Sequence, residues 1–261
     1  MIEIINYARV QSIQEAYELN QKKSNVIVGG MMWLKMGRRK YHTAIDLSDL
    51  GLDTIEETPD AYLIGAMVTL RQLEQHPGIN ELTQQSAKES VKSIVGVQFR
   101  NVATVGGSLF GRFGFSDVLT FFMAADAKVE LYHKGIVTVE EFAKMPYDRD
   151  VLVRVIVPKK KQKMVYLSMR NTTTDFPVLT CCVSQREDEI RCCIGARPHK
   201  SVCLKDENGI LRDGITAESA KAFGDYVKET VVTGSNMRAS GEYRSVLAGV
   251  LTKRALEQLS I

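Results

Sequence analysis

The chain has 261 residues, 44% of them apolar and 25% charged, which makes it a globular protein with room for one large or two modest domains and excludes a disordered chain. With 34 Lys and Arg against 31 Asp and Glu, the net charge of +3 is too balanced to indicate nucleic acid or a polybasic membrane patch. No apolar stretch approaches about 18 residues and no charged-then-apolar leader stands at the start, so a cytoplasmic location without a membrane partner is expected.

In chain order, Ser12-Ile13-Gln14-Glu15 has the spacing of a capping box, and the helix it opens leads to a strand at Val26-Ile27-Val28 that ends in Gly29-Gly30. This is a βαβ-like start. Short strands follow at 44–47 and 62–66, and Thr69 with Gln72 opens a helix that Pro77-Gly78 stops. Residues 81–95 read as helical and lead into the apolar run Val102-Ala103-Thr104-Val105, which reads as a strand ending in Gly106-Gly107. Ser116-Asp117 begins a further helix, where the Asp117 carboxylate is suited to capping. Residues 128–132 and 136–139 alternate on either side of Lys134-Gly135 as a hairpin, and a strand at 151–157 ends at Pro158.

The run Lys159-Lys160-Lys161-Gln162-Lys163 reads as a solvated loop and as the best domain boundary. Beyond it, strands at 164–169, 176–184 and 189–195 suggest an antiparallel meander. Two helices close the chain, the last repeating Tyr243, Val246, Leu247, Val250, Leu251 and Leu256 at helical period. Its apolar stripe is expected to cover its own sheet, with a partner-facing role as the alternative. The five cysteines, Cys181, Cys182, Cys192, Cys193 and Cys203, include adjacent pairs that point to opposite faces of a strand, so they read as small buried residues in a reducing compartment rather than cluster ligands. The four histidines are scattered.

The two glycine pairs carry the functional signal. A turn without Cβ atoms lets backbone approach a ligand, and successive free N–H groups form a concave nest for an anion. A pyrophosphate is large enough to need two such turns. Either pair alone is more simply a tight turn or bulge. Neither a dinucleotide-binding glycine fingerprint nor a P-loop pattern is present.

The ordered set Val28-Gly29-Gly30, Ile45-Asp46-Leu47, Ile64-Gly65-Ala66, Arg100 to Ser108, Ser116-Asp117 and Ser240-Gly241-Glu242-Tyr243-Arg244 resembles the FAD-binding medium subunit of the molybdenum hydroxylases, the xanthine dehydrogenase and carbon monoxide dehydrogenase family. The resemblance runs from the first residues to the last. It implies an α+β protein: an FAD-binding, PCMH-like domain over 1–160, made of two α/β subdomains (about 1–55 and 56–160), then a C-terminal domain over 161–261 with an antiparallel sheet and helices. It also implies an electron-transfer subunit that passes electrons between iron–sulfur clusters of a small partner subunit and NAD or another acceptor, beside a large molybdenum-cofactor subunit. A stand-alone FAD oxidoreductase and a flavin-less structural bridge are the alternatives.

The same resemblance assigns FAD-binding positions. The first loop falls on Val28, Gly29, Gly30, Met31, Met32, Trp33 and Leu34, whose amides would hold the pyrophosphate. The second falls on Thr104 to Ser108, with Thr104, Gly106, Gly107 and Ser108 at the phosphates. Phe110 would lie close to the flavin ring and Leu152 would make an apolar contact near it. Asp117 would hydrogen-bond the ribityl or adenosine portion. Met31-Met32 replaces a usual polar pair, Ser108 replaces an Asn, and a lysine of some relatives falls on Leu167. No catalytic residue and no metal ligand is assigned to this chain.

Overall fold

The computed structural model describes residues 2–187 and 189–260. The chain begins with β1 (Glu3–Arg9), α1 (Ile13–Asn20), β2 (Asn25–Val28) and β3 (Lys40–Asp46). β3 lies between β1 and β2 and is parallel to both. Ser12 caps α1 by accepting from the Glu15 amide, while the Glu15 carboxylate reaches back to the Gln11 amide at 2.8 Å. Adjacent parallel strands need a crossover. Between β2 and β3 that crossover is the glycine loop itself, residues 29–39, with one short 3-10 turn at Leu34–Met36. The loop therefore leaves the carboxyl end of a parallel strand, where open α/β sheets present their ligand crevices.

A second sheet follows. Its elements are β4 (Ile55–Glu57), β5 (Ala61–Gly65), α2 (Leu70–Gln75), α3 (Pro77–Leu82), α4 (Ser86–Val91), α5 (Val97–Arg100), α6 (Val105–Phe110), α7 (Asp117–Ala124), β6 (Lys128–Leu131), β7 (Gly135–Thr138), α8 (Val139–Lys144) and β8 (Leu152–Pro158). The strands pair antiparallel in the order β4-β5-β8-β6-β7. Two sequence expectations are corrected here. Pro77 ends α2 but also starts α3 at its first position, where its missing N–H costs nothing, with His76 Nδ1 accepting from the Ile79 amide at 3.2 Å. The helix expected over 81–95 is broken, because Thr83 Oγ1 donates back to Ile79 O at 2.7 Å and Gln84 and Gln85 take left-handed backbone, φ 47 and 66. Glu74 and Arg100 form a buried bidentate pair, 2.8 and 3.2 Å, that ties α2 to α5 and sets the approach to the second glycine pair.

The remaining elements are β9 (Lys163–Met169), β10 (Leu179–Arg186), β11 (Glu189–Gly195), β12 (Val202–Lys205), α9 (Ala217–Thr230) and α10 (Gly241–Leu259). They form an antiparallel sheet in the order β12-β11-β10-β9. β12 is a four-residue edge strand that the sequence reading lacked, and β10 starts at Leu179 rather than 176 because Pro177 cannot donate to the ladder. The sheet is covered on both faces. Cys181 and Cys192 join the α9–α10 core, whereas Met164, Tyr166, Cys182 and Cys193 join the core built on α2 to α7. α10 buries Leu247, Leu251 and Leu256 and leaves Tyr243, Val246 and Val250 exposed. Leu167 packs into the α9–α10 core.

Candidate functional site

The first loop turns sharply after β2, with Met31 in left-handed backbone at φ 55. Among the described residues, the amides of Gly29, Gly30, Met31, Met32 and Trp33 donate to no protein acceptor. Five consecutive amides without a protein acceptor at a strand end have the donor arrangement of an anion nest. The Met31 and Met32 side chains do not alter this, because the donors are backbone.

The second loop differs from its expectation. Residues 102–105 are not a strand. Gly106 and Gly107 lie in the first turn of α6, capped by Thr104, whose Oγ1 accepts from the Gly107 amide at 3.1 Å. The Val105 amide donates to Val68 O and the Gly106 amide to Ala66 O, both at 2.8 Å. These amides are used within the protein, so the expected second nest is absent.

The reason for glycine also changes. A Cβ on Gly30 would stand 1.9 Å from Val102 O, one on Gly29 2.8 Å from Thr104 Oγ1, and one on Gly106 2.6 Å from Ala66 O. Three of the four glycines thus allow the loops to press on each other and on the loop after β5. Only Gly107 is exposed, and a Cβ there would meet just Thr104 Oγ1 at 3.1 Å.

Between the loops runs a groove of about 620 Å³, within the range of cofactor sites. Val28, Gly29, Gly30, Met31, Met32, Trp33 and Leu34 line it from the first loop, Thr104, Gly106, Gly107, Ser108 and Phe110 from the second, and Leu152 from β8. Its far end carries Lys23, Arg39, Tyr41 and Arg149, none of which the sequence marked out. Arg149 is held by Asn20 and Asn25, donating to Asn25 O at 2.7 Å. Asp148 and Asp150 also line that end. Asp150 accepts from the His133 and Lys134 amides at 2.9 and 3.0 Å, and Asp148 is paired with Lys134, so neither carboxylate is free.

Asp117 is elsewhere. It neither caps α7, a task Ser116 performs through the Leu119 amide at 3.1 Å, nor lines the groove. It is 4% exposed, paired with Arg170 and accepting from Tyr166 Oη at 2.6 Å, a junction between α7 and β9. Burial lifts its carboxyl to about 6 against the pull of Arg170 and Tyr166. This junction floors a smaller cavity of about 120 Å³ walled by Trp33, Phe99, Phe113, Phe115 and Phe176. Phe113 and Phe115 stack with centroids 5.1 Å apart, and Phe176 meets Phe115 edge-on at 4.5 Å and Trp33 at 5.2 Å. The cavity adjoins the groove through Trp33, Gly107, Ser108 and Phe113. A readable signal for it existed in Phe110-Gly111-Arg112-Phe113-Gly114-Phe115, where aromatics alternate with glycine. Nothing local signals Arg170 or Phe176, which arrive from the third sheet.

Residues 3–160 match the family model described as the FAD binding domain in molybdopterin dehydrogenase. The xanthine dehydrogenase FAD-binding subunit of Escherichia coli is 25% identical over 284 residues, covering 99% of this chain and 97% of that protein. The carbon monoxide dehydrogenase medium chain of Hydrogenophaga pseudoflava is 24% identical over 255 residues, covering 89% of this chain and 88% of that one. In structure, the chain superimposes on carbon monoxide dehydrogenase from Hydrogenophaga pseudoflava with a TM-score of 0.86 at 23% identity, covering 98% and 97% of the two chains.

Proposed function

The chain belongs to the FAD-binding domain family of molybdopterin dehydrogenases and is an FAD-binding subunit of the xanthine and carbon monoxide dehydrogenase type; from that premise we propose that its FAD diphosphate lies on the first glycine loop and that it relays electrons between a partner subunit's iron–sulfur clusters and NAD or another acceptor. The observation that carries the binding mode is the row of unbonded amides from Gly29 to Trp33. A diphosphate is the part of FAD that needs several donors at once. Bound FAD supplies the capacity to take electrons in pairs and pass them on singly.

The chain's own residues bind and orient. Gly29 to Trp33 donate backbone hydrogen bonds, and Gly107, the exposed glycine of α6, leaves room for a phosphate against the helix. Thr104 Oγ1 already accepts from Gly107, so its proton is the part left to offer. Ser108 supplies a second hydroxyl. Phe110 and Leu152 form an apolar wall, and Lys23 and Arg39 add positive charge at the far end. The aromatic cavity beside the groove offers matching chemistry for a flat ring, although its volume of about 120 Å³ is less than a tricyclic ring needs. Asp117 lines this cavity as the buried partner of Arg170.

The words "subunit" and "medium chain" in the names of the relatives support assembly with further chains. An iron–sulfur small subunit and a molybdenum-binding large subunit are the proposed partners, and the cytoplasm the proposed location. Purification of the chain with whatever it binds in its source is expected to give releasable FAD, with iron and molybdenum in the same complex. A colourless complex, or one releasing FMN, contradicts the proposal.

A further inference from the structure

Arg112 has no role in the reading above, and its environment is unusual. It is 1% exposed and sits in left-handed backbone, φ 44, between Gly111 and Phe113, both of which line the groove. Its guanidinium carbon lies 4.4 Å from the Phe142 ring centroid, 4.5 Å from Tyr147 and 5.3 Å from Phe110. Nη1 makes one long hydrogen bond, 3.4 Å to Phe142 O, while Nε and Nη2 have no partner. No carboxylate pairs with it among the described residues. Asp148, a carboxylate whose charge it feels, is taken by Lys134, and Lys200, donating to Ala143 O at 2.8 Å, brings a second cation.

A guanidinium stays protonated under all ordinary conditions. Aromatic faces recover part of the cost of burying it, but an unpaired interior charge remains expensive, so replacing it with an uncharged side chain of similar size is expected to leave the apoprotein no less stable. Arg112 is therefore a poor structural choice for the protein without ligand. A charge of this kind is offset when an anion arrives nearby, and Gly111 and Phe113, on either side of it in the chain, line the same groove in which FAD with its diphosphate is proposed to lie.

We propose that Arg112, caged by Phe110, Phe142 and Tyr147, is the charge that complements the FAD diphosphate through space: a positioning and affinity residue set behind the groove wall. The inference rests on the FAD reading and adds to it a cation that makes no direct contact. Two consequences separate it from a packing role. Neutralising Arg112 weakens the holoprotein while leaving or raising the stability of the apoprotein, and the loss applies to any diphosphate ligand, with or without a flavin.

The test uses the full chain, freed of flavin, with Arg112→Met, Arg112→Gln and Arg112→Lys compared with the parent in titrations with FAD and with ADP at low and moderate salt. The parent must bind FAD; if it does not, the functional reading fails before the Arg112 question arises. With a binding parent, both neutral variants are expected to lose about tenfold or more in affinity for FAD and for ADP and to show a shallower salt dependence, while Lys keeps most of the affinity. Their apo melting temperatures are expected to equal or exceed the parent's. Unchanged affinity in the neutral variants overturns the proposal. So does failure of both to fold, because the proposal requires that the apoprotein not depend on this charge.

Discussion

The two glycine pairs look alike in sequence and do different work. In the first, the backbone from Gly29 to Trp33 keeps its donors free. In the second, the donors of Val105, Gly106 and Gly107 are spent on Val68 O, Ala66 O and Thr104 Oγ1. One loop keeps donors to offer, and the other is mostly a buttress that holds it. Glycine is needed at Gly30 and Gly106 for contact with neighbouring backbone and at Gly29 for contact with the Thr104 side chain, whereas Gly107 is exposed. Glycine in a ligand loop thus reports close approach without saying what approaches.

The comparison breaks first at the buttress. Gly30→Ala places a Cβ 1.9 Å from Val102 O, and Gly106→Ala one at 2.6 Å from Ala66 O, both against backbone that cannot yield without moving a loop. Each is expected to destabilise the fold by about 3 kcal/mol or more, in the range of overpacked interiors. Thermal unfolding of the apoprotein checks this, and a parent-like melting temperature refutes the buttress role.

Asp117→Asn sharpens the comparison between groove and aromatic cavity. It replaces the ionisable carboxyl that accepts from Tyr166 Oη and pairs with Arg170 by an amide that cannot titrate, so a loss of stability is expected whose size follows the carboxyl's protonation, even though Asn would cap a helix equally well. The loss depends on pH. Because burial raises the folded carboxyl to about 6, above its unfolded value, the native state holds the extra proton between about pH 4 and 6, and stability from this group is present below that window and lost as pH rises through it. The gap between parent and variant in denaturant unfolding should therefore be wider at about pH 4.5 than at about 7.5, by on the order of 2 kcal/mol. A gap that narrows on acidification contradicts the raised carboxyl.

Much of the architecture was readable because its signals are local. Ser12 and Thr69 cap helices at the spacing their sequences announce, and the alternation on either side of Lys134-Gly135 gives a hairpin, although Thr138 ends that hairpin by capping α8, a helix the sequence did not suggest. The strand before Gly29 was legible for the same reason. The strand before Gly106 was not, since Ala103 and Val105 are buried against the segment after β5 without joining a ladder and Val102 is exposed. The break at Gln84-Gln85 depends on a hydroxyl bonding back to Ile79, and β12 is too short to register a period. At the site, residues contributed by one loop could be read from the chain. Those assembled across sheets, Arg170 and Phe176 against Phe115 and Asp117, could not, because their meaning lies in contacts more than fifty residues apart.

Smaller effects follow at the rim. Thr104→Val removes the cap of α6 and the acceptor for the Gly107 amide, and about 1 kcal/mol is expected from a lost cap. Gly107→Asp adds no clash with backbone and should leave the apo fold intact, yet its carboxylate faces the groove and should cost FAD affinity tenfold or more, about 1.4 kcal/mol per factor of ten. Stability and affinity measured on these two variants should move in opposite proportion.

The central claim is that the free amides of the first loop receive a diphosphate. Calorimetric titration of the apoprotein with FAD and with FMN, which has a single phosphate, tests it most directly. Tight binding of FAD with FMN weaker by about a hundredfold or more is the predicted result, since several charge-assisted amide hydrogen bonds are at stake. Equal affinity for the two flavins, or binding of neither, contradicts it.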